Sequence, residues 1–325
     1  MSMVLSDPQG RQFRYLRLSV TDVCNFRCSY CLPQGYKKCQ SKPELSVAEI
    51  SRLLRAFSLL SFKKLRLTGG EPTLRSDLAE IIREASLGGF QVGLTTNGYR
   101  LNEKIRAYKD SGLSLLNLSL DSLNPTRFKE ITGKNEFVNL QKGLDTALSL
   151  GLQKIKINTV FLKGLNDQEF PQFLEYIKCR PISLRFIELM PTGQNKDFFL
   201  QHHARSEVLI EQLLKNGWHE SSRETEAGPA QEYQHEDFKG KIGFISPYAK
   251  NFCAQCNRLR VSARGDLRLC LFGKGEVSLR SFLQDDADLP ELVEFIQNTL
   301  SLKPVSHSLH TGDYGDMQTL SAYGG

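Results

Sequence analysis

Six of the eight cysteines in this 325-residue chain fall into two tight groups, and each group holds three thiols where a closed metal site wants four. The first reads Cys24-Asn-Phe-Arg-Cys28-Ser-Tyr-Cys31, and the second reads Cys253-Ala-Gln-Cys256 with Cys270 farther on. Disulfides are the weaker reading of such clusters in a reducing compartment, where free thiols held close together bind metal. A structural zinc site would need a fourth ligand, and the nearest candidates are Cys39 for the first group and His235 for the second. Three thiolates on a 4Fe-4S cluster instead leave one iron without a protein ligand, free to bind a small molecule.

Other chemistry-bearing residues flank these groups. Gly69-Gly70-Glu71-Pro72 follows an apolar run, with two glycines that let backbone come close to another group and a proline that fixes the next φ. Arg258 and Arg260 follow Cys256 directly, and alternate residues of an extended chain share a side, so the pair forms a candidate anion clamp. Arg17, Arg66 and Lys156 are cations inside strand-like apolar runs, which suggests a lined cavity or buried ion pairs.

Alternating short β-rich runs and helical patterns must position these residues. Strands are expected at 16–20, 64–68, 91–96, 113–121, 154–162 and 183–190. Helical periodicity is read at 47–60 behind the capping box Ser46/Glu49, at 78–85, 102–110, 139–150 and 167–178. This alternation predicts parallel strands with crossover helices, either an open doubly wound sheet or an incomplete barrel, with ligands at the carboxyl ends of the strands. The rhythm stops after Met190. Residues 191–205 read as a loop, 207–216 as a helix and 241–245 as a strand, and a tail from His307 ends in Gly324-Gly325. The expected division is 1–190 and 191–325.

Composition narrows the function classes. Lys and Arg number 42 against 36 Asp and Glu, with no basic block of the kind that holds nucleic acid, so a small acidic ligand is favoured. No apolar run is long enough for a membrane helix, and the N-terminus lacks a secretory h-region, so a cytoplasmic location is expected.

The spacing CxxxCxxC after a first strand, with GGEP after the second, resembles the radical S-adenosylmethionine (SAM) superfamily. The run CxxCNRxR, then Cys270-Leu271 and the terminal Gly-Gly, is similar to its GTP 3′,8-cyclase family, which opens molybdenum-cofactor biosynthesis. The resemblance implies an incomplete parallel (β/α)6 barrel with a C-terminal α+β region. It also implies two 4Fe-4S clusters, on Cys24, Cys28 and Cys31 and on Cys253, Cys256 and Cys270, with SAM as cofactor and GTP as substrate. Carried over residue by residue, Tyr30, Gly70, Ser119 and Met190 would contact SAM. Arg17, Arg66, Thr95, Lys156 and the run Arg258, Leu259, Arg260 would hold GTP, and Gly324 and Gly325 would thread into the site and assist cyclisation. The product would pass to cyclic pyranopterin monophosphate synthase, and a homodimer is expected. A peptide-modifying radical SAM enzyme and a non-catalytic zinc protein are the alternatives.

Overall fold

The computed structural model describes residues 4–37, 43–222 and 227–323. Six strand-helix units open the chain: β1 (Tyr15–Ser19), α1 (Val47–Leu59), β2 (Lys64–Thr68), α2 (Leu78–Leu87), β3 (Gln91–Thr96), α3 (Leu101–Asp110), β4 (Leu113–Ser119), α4 (Pro125–Thr132), α5 (Phe137–Ser149), β5 (Lys154–Phe161), α6 (Phe170–Lys178) and β6 (Ser183–Glu188). The expected strands all form, two of them with the expected bounds. The capping box is present, the Ser46 hydroxyl accepting from the Glu49 amide and the Glu49 carboxylate accepting from the Ser46 amide.

Strands β1 to β6 are parallel and lie side by side in chain order. One face carries Leu16, Leu18, Leu65, Leu67, Leu116, Leu118, Ile157 and Leu184, all fully buried in the main core beneath the helices. Truncating one of these, such as Leu67→Ala, would cost about 2–5 kcal/mol. The opposite face carries the polar residues at alternating positions, as the two-residue period of a strand requires.

Beyond β6 come α7 (Lys196–His202), α8 (Glu207–Lys215), β7 (His219–Glu220), β8 (Gln231–Gln234), β9 (Lys241–Ile245), β10 (Arg258–Val261), β11 (Asp266–Arg268), β12 (Val277–Ser278) and α9 (Leu289–Leu300). These strands extend both edges of the same sheet: β9 adds in parallel to β6, and β10 adds in parallel to β1. The order β12-β11-β10-β1-β2-β3-β4-β5-β6-β9-β8-β7 has two free ends, so the barrel stays open.

Helix α7 corrects the expectation of a loop over 191–205. None of its residues is buried, so the sequence offers no apolar stripe to read there. Helix α4 comes from Asn124, whose side chain accepts from the Thr126 and Arg127 amides, with Pro125 in the first turn. Among the described residues no helix is long and apolar enough to cross a membrane.

Candidate functional site

Two cavities lie along the polar face of the sheet, one above the other in the strand direction. The first is lined by the carboxyl ends of β2 to β5, through Thr68, Thr95, Thr96, Ser119 and Asn158, together with Cys24, Cys28, Cys31, Tyr30, Gly69 and Gly70. The second is lined by positions nearer the amino ends, Tyr15, Arg17, Lys64, Arg66, Asn117, Lys156 and Arg185. Arg258, Arg260, Cys253, Cys256, Cys270, Lys303 and His307 join them there. Asn158, Ile187 and Met190 line both, so they form the boundary.

The backbone around Gly70 explains how the first cysteine loop is held. The Gly70 amide donates to the Thr21 carbonyl (2.8 Å) and the Glu71 amide to the Val23 carbonyl (2.7 Å). A Cβ at Gly70 would stand 2.3 Å from the Val23 carbonyl oxygen, a spacing no side chain tolerates. Gly69 has φ +146° and the same crowding against Thr21. Glu71 is fully buried and accepts from the Thr73 and Thr96 hydroxyls and the Asn97 amide, each at 2.7 Å. The glycines therefore clamp the GGEP turn against the segment that leads into Cys24.

Tyr30 donates its hydroxyl to Asp121 Oδ2 (2.8 Å), and the Val160 amide donates to Oδ1 (2.9 Å). Burial pushes the Asp121 carboxyl up to about 6 despite these bonds. The Asn195 side-chain amide donates to the carbonyls of Tyr30 (2.7 Å) and Met190 (3.1 Å), while its oxygen accepts from the Thr192 amide (2.7 Å). Asn195 thus ties the cysteine loop to the chain beyond β6, a role with no signature in the sequence.

The two cysteine groups sit in opposite electrostatic surroundings. Burial raises Cys24 to about 11 and Cys31 to about 12, and Cys28 upward as well. Among the described residues no cationic side chain lines their cavity. In the second group burial opposes ionisation, but Arg258 and Lys303 bring Cys256 down, and His307 with Ser306 brings Cys253 to about 7. Cys270 is raised by burial. Among the described residues no three His, Cys, Asp or Glu side chains are arranged to hold a single metal ion. Three thiols at a cavity wall fit a cluster better, because each would ligate a different iron of the cube.

The polar atoms aimed into the cavities fit small polar ligands. Thr95 Oγ1, Asn117 Oδ1 and Asn158 Oδ1 are buried without a hydrogen-bond partner. Among the described residues eight cationic side chains line the second cavity, Arg17, Lys64, Arg66, Lys156, Arg185, Arg258, Arg260 and Lys303, and no carboxylate does. Burial, with Arg185 beside it, pulls the Lys156 ammonium down to about 7.

The structure brings Arg17, Arg66, Lys156, Arg258 and Arg260 together at the second cavity and Tyr30, Gly70, Ser119 and Met190 at the first. Thr95 stands in the first cavity, not with the cations. Leu259 alternates away from its arginine neighbours and is fully buried in the core, so its side chain faces away from the cavity. Gly324 and Gly325 lie outside the described residues, as does Cys39. Just before them, the Tyr323 carbonyl accepts from Arg260 Nη1 (3.0 Å) and its ring lies under the Arg268 guanidinium at 4.5 Å. Lys64, Asn117, Asn158 and Arg185 were missed, although each stands two residues from a recognised or equally polar strand position. The two-residue period would have found them.

A family model described as the Radical SAM superfamily matches residues 18–177, and one described as Molybdenum Cofactor Synthesis C matches residues 182–309. A protein named GTP 3′,8-cyclase from Stenotrophomonas maltophilia is 52% identical over 99% of each chain. A protein of the same name from Synechococcus elongatus is 49% identical, covering 99% of this chain and 100% of its own. Among solved structures, Streptococcus suis SuiB bound to S-adenosylmethionine shares the fold, with a TM-score of 0.62 at 14% identity, covering 88% of this chain and 69% of its own. With half of its residues shared along its whole length, the chain belongs to the GTP 3′,8-cyclase family of radical SAM enzymes.

Proposed function

We propose that this chain converts GTP to 3′,8-cyclo-7,8-dihydro-GTP, with Cys24, Cys28 and Cys31 holding the 4Fe-4S cluster at which SAM is cleaved. The observation that carries the reading is the second cavity, whose described lining residues include eight cations and no carboxylate. Such a wall suits a polyanion of small size, and a triphosphate is the anion that the relatives' name, GTP 3′,8-cyclase, points to.

The 4Fe-4S cluster that Cys24, Cys28 and Cys31 would hold would supply the electron for reductive cleavage of SAM, the chemistry by which hydrogen would leave C3′ of GTP so that C3′ could bond to C8. The protein's own task is placement. Gly70 brings backbone to the SAM side, Ser119 and Tyr30 line the same cavity, and Met190 stands at the boundary between the two ligands. Arg17, Arg66, Lys156, Arg258 and Arg260 would hold the triphosphate, and Thr95 would reach GTP from the SAM side. Leu259 would contribute through its backbone only, since its side chain is in the core. Cys253, Cys256 and Cys270, which line the same cavity, would hold a second 4Fe-4S cluster on the GTP side. Holding both reactants with the reacting atoms adjacent removes most of the entropic barrier to their encounter.

Residues 1–190 would then carry the radical chemistry and 191–325 the second cluster and much of the GTP site, with Gly324 and Gly325 reaching the reacting atoms. The product would pass to cyclic pyranopterin monophosphate synthase, and the enzyme would work as a homodimer in the cytoplasm. A peptide substrate would leave the cationic wall without a role. An anaerobic incubation with SAM, dithionite and GTP tests the reading: it should yield 5′-deoxyadenosine and the cyclic nucleotide together, and formation of neither would refute it.

A further inference from the structure

Tyr15 is the one phenol on the wall of the cationic cavity. It is 4% exposed and points to the polar side of β1, in register with Arg258 of β10 on one side and Lys64 of β2 on the other. Arg66 Nε donates to its oxygen (3.3 Å), and Arg17 donates to it as well. The Lys64 ammonium lies 5.4 Å from the centre of its ring. Arg258 and Arg260 face the same space from β10. Tyr15 places an acceptor inside this buried group of like charges.

We propose that Tyr15 is the counter-anion of the triphosphate site: its oxygen holds the Arg17 and Arg66 guanidiniums in binding position and yields to phosphate by taking a proton from solvent. This rests on the basic cavity being the GTP site. The step balances simply. An O–H bond forms on the phenolate with a proton given up by water or buffer, and the nucleotide's negative charge replaces the one lost. Burial alone would push the phenol up, but Arg66, Arg17 and Lys64 outweigh it and bring it to about 6, so near neutral pH the phenolate is the resident form. Tyr15 is a positioning residue here, acting on GTP through the two arginines. Lys156 faces the same cavity and also gains a proton when a polyanion binds, so the variant must be read against wild type.

The test is anaerobic calorimetry of GTP binding to the cluster-loaded enzyme at about pH 8, in two buffers of different ionisation enthalpy. Wild type should take up about one proton more per GTP than Tyr15→Phe, and its GTP affinity should fall more steeply with rising pH. SAM affinity should be equal in the two proteins. Equal proton uptake would overturn the proposal. If wild type binds no GTP at all, the assignment of the cavity fails instead, which is a different result. Should Tyr15→Phe not fold, wild type alone decides: its near-ultraviolet tyrosinate absorbance must drop when GTP is added but not when SAM is added, and an unchanged spectrum rejects the idea.

Discussion

Arg17 and Arg260 are Cα partners on neighbouring parallel strands, β1 and β10, although about three quarters of the chain separates them. Arg17 is also in register with Arg66 on its other side. Three guanidiniums are thus set side by side by backbone pairing alone, before any ligand arrives. Burial, with Arg17 and Arg258 nearby, lowers the pKa of the Arg260 guanidinium from its ordinary value.

Replacing Arg258 or Arg260 by alanine should weaken GTP binding by roughly 1.5–3 kcal/mol for each lost charge-assisted hydrogen bond, with SAM binding little changed. Anaerobic titration with each ligand checks this. Equal weakening of both ligands would remove the clamp assignment.

The triple variant Cys24→Ala, Cys28→Ala, Cys31→Ala should retain about four of about eight irons and lose SAM cleavage. Conversely, Cys253→Ala, Cys256→Ala or Cys270→Ala should keep SAM cleavage while cyclic product disappears. Iron analysis alongside 5′-deoxyadenosine measurement separates the two sites.

Asn195→Ala removes the donor shared by the Tyr30 and Met190 carbonyls and the acceptor of the Thr192 amide, all within the buried boundary region. Leaving these groups unpaired should cost about 1–3 kcal/mol of stability. Because Tyr30 and Met190 both line the SAM cavity, SAM affinity should drop with it, whereas a purely structural asparagine would lower the urea midpoint alone.

Lys156 titrates at about 7 in the folded chain against an ordinary 10.5. Between those values the unfolded chain carries the extra proton, so folding stability rises with pH across that window. Tyr15, brought down to about 6, acts in the same direction because its folded form loses its proton first. The urea midpoint of the nucleotide-free protein should therefore increase from about pH 7 to about pH 9, and Lys156→Met should flatten part of the rise. A wild-type midpoint that falls over this range would contradict the sign.

Deleting Gly324 and Gly325 should leave both clusters and GTP binding intact while cyclisation largely stops. The described tail supports such a reach, since Tyr323 is held from both sides by Arg260 and Arg268, and the Leu320 and Ser321 amides donate to the Cys31 sulfur. Near-normal cyclic product from the truncated enzyme would refute the role of the glycines.

Much of the site is local in origin, and so was legible in the chain itself. Three-thiol spacing, the GGEP turn and the two-residue alternation of Arg258 and Arg260 each depend on neighbours in sequence, and the strand-helix rhythm dictated a parallel sheet. Helix α9 was equally readable, since Leu289, Leu292, Val293, Ile296 and Leu300 repeat at helical spacing, and it was overlooked. The tertiary structure decided what depends on long-range pairing. Only the addition of β10 to β1 brings Arg258 and Arg260 beside Arg17 from a distant segment. Thr95 and Asn117 are Cα partners on β3 and β4, yet Thr95 lines the thiol cavity and Asn117 the basic one. Strand parity turns Leu259 into the core, and Asn195 gains its purpose from a loop that lies far away in the chain. Periodicity says which face a residue takes, but the level it reaches and the strand it stands beside are set by register, which no local pattern encodes.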